Sequence, residues 1–196
     1  MKELVFFLEE PSAQAMLQGL LPRMLAPDIH VRLIPFEGKQ DLEKQLTRRL
    51  RGYLNPQARF IVLRDQDSAP DCTVVKRKLL ALCADAGREA VSLVRVACRE
   101  LETIYLADLA AVERAMGLTG LRKQQGSARF RQPDHLGNPS EELAKLTRGA
   151  YQKLGASRLI GPQLDLDNER SPTFKNLVKG IKRLEAELLA LPAEAS

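Results

Sequence analysis

At 196 residues, with 44% hydrophobic and 28% charged residues, the chain can bury one sizeable core, and its composition excludes a disordered or low-complexity protein. No apolar run approaches the roughly 18 residues of a membrane span. Cys72, Cys83 and Cys98 lack C-x-x-C spacing, and His30 and His135 stand far apart, which points to free thiols and away from a zinc site or a His-based triad.

Residues 1–116 hold 17 Lys/Arg against 16 Asp/Glu, residues 117–160 hold 8 against 3, and residues 161–196 hold 5 against 6. The net charge of +5 therefore lies in the middle segment. That segment suits a polyanion such as nucleic acid or, equally, a solvated basic surface.

Leu4–Leu8 is an apolar run of strand length, too short for a signal-peptide core and followed by Glu9-Glu10 rather than a cleavage site. It reads as a first strand, and the protein as cytoplasmic. Ser12 is a suitable N-cap for a helix through Leu17, Leu20 and Leu21, with a kink or early end at Pro22. Ile29–Ile34 forms a second strand, and Leu42, Leu46, Leu50, Tyr53 and Leu54 supply a second helical face. Phe60–Leu63 is a third, buried strand. Pro70 and Asp71 open a third helix, with Gly87 at its C-terminal end. Val91–Ala97 is a fourth strand. Leu101, Tyr105, Leu109, Val112 and Met116 predict a single fourth helix, stopped by Gly117.

This alternation predicts an α/β fold with a mainly parallel four-stranded sheet flanked by helices. Residues 1–116 form the α/β domain, and residues 117–196 form a basic loop and helical extension packed on it. Within the extension, Ser140 caps a helix bearing Leu143, Leu146 and Tyr151. Ser171-Pro172 opens a long helix through Phe174, Leu177, Val178, Ile181, Leu184 and Leu188, and the chain frays from Pro192.

Acidic residues fall at three predicted strand ends: Glu9-Glu10, Asp65-Gln66-Asp67, and Glu100-Leu101-Glu102. Open α/β sheets bind ligands at the carboxyl ends of their strands, and parallel neighbours lie about 4.8 Å apart. Carboxylates brought so close repel unless a positive charge lies among them, and a hard cation with oxygen ligands supplies it. Glu9, Asp65 and Asp67 are the candidate metal ligands, with Glu102 preferred over Glu100 as the fourth. Asp71 reads instead as a helix cap, Glu10 leans the same way, and Asp108 reads as a surface charge.

These residues resemble the Toprim superfamily of topoisomerases, DnaG-type primases and nucleases of the overcoming-lysogenization-defect group. The resemblance rests on Leu8-Glu9, on Leu63-Arg64-Asp65-Gln66-Asp67 and on Arg99-Glu100-Leu101-Glu102 through Leu106. Within that superfamily the chain looks most like an uncharacterised bacterial Toprim-like family often encoded beside an AAA or ABC-type ATPase. The stretches Glu37–Lys44, Leu136–Pro139 and Arg170–Phe174 extend the likeness along most of the chain. It implies a Mg²⁺- or Mn²⁺-dependent phosphodiesterase acting on nucleic acid with a partner ATPase, its catalytic and metal residues being Glu9, Asp65, Asp67 and Glu102. The chain departs at Glu10, where many relatives have Gly, and at Ala13, where many nucleases carry another acid.

Around such a pole, Lys39 reads as a phosphate contact or a loop lysine. Arg122, Lys123, Arg129 and Arg131, with Phe130 among them, read as a grip on a phosphate backbone. Tyr105 lies on an apolar stripe and belongs to the core rather than to strand-cleavage chemistry. Two rivals are a catalytically altered regulatory subunit of an ATPase complex and a phosphoacceptor receiver domain. The receiver reading needs a fifth strand with a lysine.

Overall fold

Strand β1 (Glu3–Leu8) is buried at every position, because its side chains alternate between two cores on opposite faces of the sheet. Leu4, Phe6 and Leu8 join one core, and Val5 and Phe7 the other. In the computed structural model, which describes residues 1–192, β1 pairs in parallel with β2 (His30–Pro35) and β3 (Ala58–Asp65). β3 pairs in parallel with β4 (Ser92–Ala97), giving the order β2-β1-β3-β4. The registers Leu8↔Leu63 and Asp65↔Ala97 bring the carboxyl ends of three strands to one edge of the sheet.

α1 (Pro11–Leu20) covers the Leu4 face, while α2 (Lys39–Arg51) and α3 (Cys72–Asp85) cover the Phe7 face. The chain thus leaves β1 on one side of the sheet and returns to β3 on the other, so the strand order reverses between them. Asp71 caps α3 by accepting the Thr73 N–H at 2.8 Å, as expected. α1 ends before Pro22, also as expected, in a short 3-10 turn. Ser12, expected as the cap of α1, is instead inside it. Pro11 takes the first helical position, and the Ser12 hydroxyl donates back to Glu10 Oε1 at 2.7 Å.

The single fourth helix expected from the apolar stripe is two: α4 (Glu102–Leu106) and α5 (Leu109–Met116). Asp108 breaks it, and it is buried rather than a surface charge. One of its oxygens accepts the Ala111 N–H, capping α5, and the other accepts the Asp165 N–H. Asn168 and Gln125 satisfy the neighbouring Ala107 carbonyl and Leu109 N–H. Gly117, in the left-handed region at φ 63°, ends α5.

α6 (Pro139–Leu146) starts on Pro139 with Asn138 at the cap position, so Ser140 lies within it. Tyr151 falls after α6 rather than on it, and the unexpected α7 (Lys153–Ile160) follows. α8 (Pro172–Ala190) begins as the sequence predicts, with Ser171 Oγ accepting the Phe174 N–H at 3.2 Å. Its apolar stripe from Phe174 to Leu188, together with Leu143, Ala156 and Ile160, joins the same buried core as Leu4, Phe6 and Leu8. Of the terminus expected to fray from Pro192, the Pro192 carbonyl itself accepts Gln57 Nε2 at 2.9 Å, and residues 193–196 lie outside the described residues. No helix among the described residues is long and apolar enough to cross a membrane.

Candidate metal centre

The crevice between the carboxyl ends of β1 and β3 is where the strand order reverses, the place where open α/β sheets bind their ligands. Glu9 and Asp65 stand there. The Asp65 N–H donates to Glu9 Oε2 at 3.0 Å, so the first carboxylate is fastened to the backbone that carries the second. Arg64 Nε lies 3.7 Å from the same Glu9 oxygen, and its other arm is paired with Glu43, which Lys78 also contacts at 2.6 Å. The Asp65 side chain makes no hydrogen bond or ion pair among the described residues, although the residue is only 8% exposed.

Glu102, at the start of α4, is wholly buried. Its Oε1 accepts the Tyr151 hydroxyl at 2.8 Å and lies 3.9 Å from Lys153 Nζ, whereas its Oε2 is buried with no partner. Lys153 also contacts Glu10 Oε1 at 2.7 Å. Glu100 turns away and accepts the Ser140 N–H at 2.7 Å, at the start of α6. Of the two glutamates weighed for the third cluster, Glu102 therefore faces the acidic pole.

Burial pushes the Asp65 carboxyl well above its ordinary range, and the charges of Glu9, Glu10 and Glu102 add to the shift while Lys153 opposes it. Burial also raises Glu9, against its hydrogen bond from the Asp65 N–H, and Asp67 raises it further. Glu102 is raised by burial against Lys153 and Tyr151. Burial pulls the Lys153 ammonium down, yet Glu102, Glu10 and Asp65 outweigh it and raise it overall. The charges of Glu9, Glu10, Asp65, Glu102 and Lys153 therefore act on one another as one electrostatic unit.

Asp67 sits at the rim. Its backbone is in the left-handed region at φ 54°, as is that of Arg99 at φ 61°, and the Asp67 N–H donates to the Arg99 carbonyl at 2.8 Å. Two non-glycine residues held this way beside the pole store strain of a kind that gathers at functional loops. Asp67 Oδ2 pairs with Lys39 Nζ at 3.0 Å, so Lys39 does reach the pole. Tyr105 is buried and donates its hydroxyl to Ser157 Oγ at 2.7 Å, as a core residue.

Residues 8–182 match the family described as a domain of unknown function, DUF4276. The chain belongs to that family. No curated protein matches it. Among solved structures, the C-terminal region of the Burkholderia pseudomallei OLD protein is similar at a TM-score of 0.53 and 14% identity, covering 94% of this chain and 98% of that one. A likeness at that identity shows a shared fold. The four-stranded parallel sheet expected from the Toprim resemblance is the one this DUF4276 chain has.

The donor set fits a hard divalent cation in chemistry: carboxylate oxygens, one of them orphaned in the interior, with burial raising Asp65, Glu9 and Glu102. Among the described residues no three acidic, histidine or cysteine side chains already form a cage. Lys39 and Lys153 instead lie against the acids. Mg²⁺ ordinarily takes one or two carboxylates and completes its shell with water and phosphate oxygens, so a full protein cage is not required.

In this DUF4276 chain the basic segment differs from expectation. Phe130 is buried in the core and cannot contact a nucleic acid base. Arg122 pairs with Glu113 at 3.6 Å, and Arg129 with Glu142 at 2.5 Å. The Lys123 and Arg131 side chains are exposed and make no hydrogen bond or ion pair among the described residues. None of the four makes a hydrogen bond or ion pair with Glu9, Asp65, Asp67 or Glu102. The sequence reading missed Lys153 and Tyr151, whose signal lay in Glu102: a charged residue inside the apolar run Leu101–Leu106 must find buried partners.

Proposed function

We propose that this chain is a Mg²⁺- or Mn²⁺-dependent phosphodiesterase acting on nucleic acid, with the acidic pole at the β1/β3 switch point as its catalytic site. The observation that carries the reading is Asp65: a nearly buried carboxyl, without a hydrogen bond among the described residues, in the field of three other acids. Folding tolerates such a group at a cost of several kcal/mol unless a cation answers it. The fold shared with the OLD C-terminal region supports the same reading.

Asp65, Glu9 and the free Oε2 of Glu102 would hold the ion, with Asp67 entering as Lys39 lets go. A divalent ion bound there supplies Lewis acidity toward a phosphate oxygen and lowers the pKa of a bound water. Glu9, whose carboxyl burial makes more basic than a free glutamate, is the candidate to accept the proton of an attacking water. Lys39 and Lys153, each partly exposed, present ammonium groups to phosphate arriving at the pole.

Nicking of supercoiled plasmid and cleavage of labelled single strands, with Mn²⁺ or Mg²⁺ against EDTA, tests this. Wild type is expected to cut only with metal, and Asp65→Asn and Glu102→Gln to lose at least about 100-fold in rate. Equal cutting by wild type and Asp65→Asn would overturn it. Because Lys39 and Lys153 already balance part of the acidic charge, a regulatory subunit is the second reading. Metal binding without cleavage would select it.

A further inference from the structure

Of the basic segment's cations, Arg129 lies on a second cleft, of about 710 Å³, whose polar lining includes Gln124, Ser127, Glu142, Lys145 and Arg148. Glu142 is almost wholly buried, and its Oε1 accepts Arg129 at 2.5 Å and lies 3.6 Å from Lys145. One carboxylate oxygen thus anchors two cations whose side chains remain 58% and 65% exposed, leaving most of their donors free. The Arg148 side chain makes no hydrogen bond or ion pair among the described residues. Lys145 also lies 3.7 Å from Glu141 Oε2, so three cations meet two carboxylates and the cleft keeps an excess of positive charge.

Arg148 follows the last turn of α6 in the left-handed region, at φ 52°, where glycine is the ordinary choice. A residue bearing a Cβ costs about 1–2 kcal/mol there. Its neighbour Gly149 is also left-handed, at φ 80°, so the turn itself is of the glycine type, yet an arginine occupies one of its two positions. What the arginine adds is a cationic side chain on a residue that lines the cleft.

The cleft is tied to the acidic pole. Thr147 Oγ1 accepts the Tyr151 N–H at 3.1 Å, and the Tyr151 hydroxyl donates to Glu102 at 2.8 Å. Three peptide units separate Arg148 from Tyr151, so their Cα atoms lie within about 11 Å. A volume of this size, with an apolar floor from Leu118, Leu121 and Leu146, holds one or two nucleotides rather than a duplex.

We propose that this cleft is a backbone-phosphate subsite for single-stranded nucleic acid, with Arg129, Lys145 and Arg148 contacting phosphates of the strand that passes the acidic pole. The inference rests on the nucleic-acid reading of that pole and adds to it the path of the strand. Binding of a fluorescein-labelled oligo-dT strand to the full chain, followed by anisotropy in EDTA across a salt series, tests it apart from catalysis. Arg148→Gly removes a charge at a backbone position that suits glycine, so that variant is expected to melt no lower than wild type. Combined with Lys145→Gln, it is expected to weaken binding about tenfold at low salt, and the log–log salt slope to become shallower by about 0.7 per lost phosphate contact. Unchanged affinity and slope in the double variant would overturn the proposal, as would wild type failing to bind the strand. If wild type binds through these residues but cuts nothing with Mn²⁺, hydrolysis falls and the cleft stands. If wild type cuts with Mn²⁺ and the double variant binds and cuts equally well, the cleft falls and hydrolysis stands.

Discussion

A carboxyl that folding takes out of water, as it does at Asp65, makes stability depend on pH in a direction opposite to that of a salt-bridged surface acid. The folded-state pKa of Asp65 lies above its ordinary value, and those of Glu9 and Glu102 shift the same way. Between the ordinary carboxyl range near 4 and the raised values, the folded chain binds more protons than the unfolded one. Metal-free stability therefore falls as pH rises through that window. Asp65→Asn is expected to raise the melting temperature at pH 8 and to change it little near pH 4. Thermal melts in EDTA across pH check this, and an Asp65→Asn curve parallel to wild type would contradict it. Tyr151→Phe leaves Glu102 without its hydroxyl donor in a fully buried position. The expected cost is about 1–3 kcal/mol in urea unfolding, with no change if the Tyr151 contact is incidental.

At the scale of elements, side chains distant in sequence decide where helices begin and break. The stripe Leu101–Tyr105–Leu109–Val112–Met116 was legible, and all but Met116 of it is buried. The interruption at Asp108 was not, because the groups that stabilise it come from Gln125, Asp165 and Asn168. Asp108→Ala removes a helix cap and leaves the Asp165 N–H without its acceptor, at an expected cost of about 1–3 kcal/mol by denaturant unfolding. A surface charge would cost almost nothing. The helix carrying Lys153 is placed by close approach: α7 packs along α1, Gly19 meets Pro162, and a Cβ at Gly161 would overlap the Met16 carbonyl oxygen. Gly161→Ala is expected to destabilise by about 1–3 kcal/mol and, by moving α7, to weaken metal binding as well.

For the whole molecule, the four strands, their parallel order and the acids at their ends were readable, because apolar runs and strand-end carboxylates are local signals. That pattern alone singles out Glu9, Asp65, Asp67 and Glu102 as candidates. What sequence could not show was the reversal of strand order between β1 and β3, which makes their two carboxyl ends a crevice. Nor could it show that α7, far along the chain, returns Lys153 to that crevice, or that Phe130 turns inward while Arg148 lines a cleft outside. Among the described residues the sheet has four strands, so the fifth strand a receiver domain needs is not among them.

Titration calorimetry of Mn²⁺ into the metal-free chain tests most directly whether the pole is a cation site. Wild type is expected to show saturable binding that Asp65→Asn abolishes, Glu102→Gln weakens, and Asp71→Asn, which alters only the α3 cap, leaves intact. Indistinguishable isotherms for wild type and Asp65→Asn, or no saturable heat from wild type, would contradict the account.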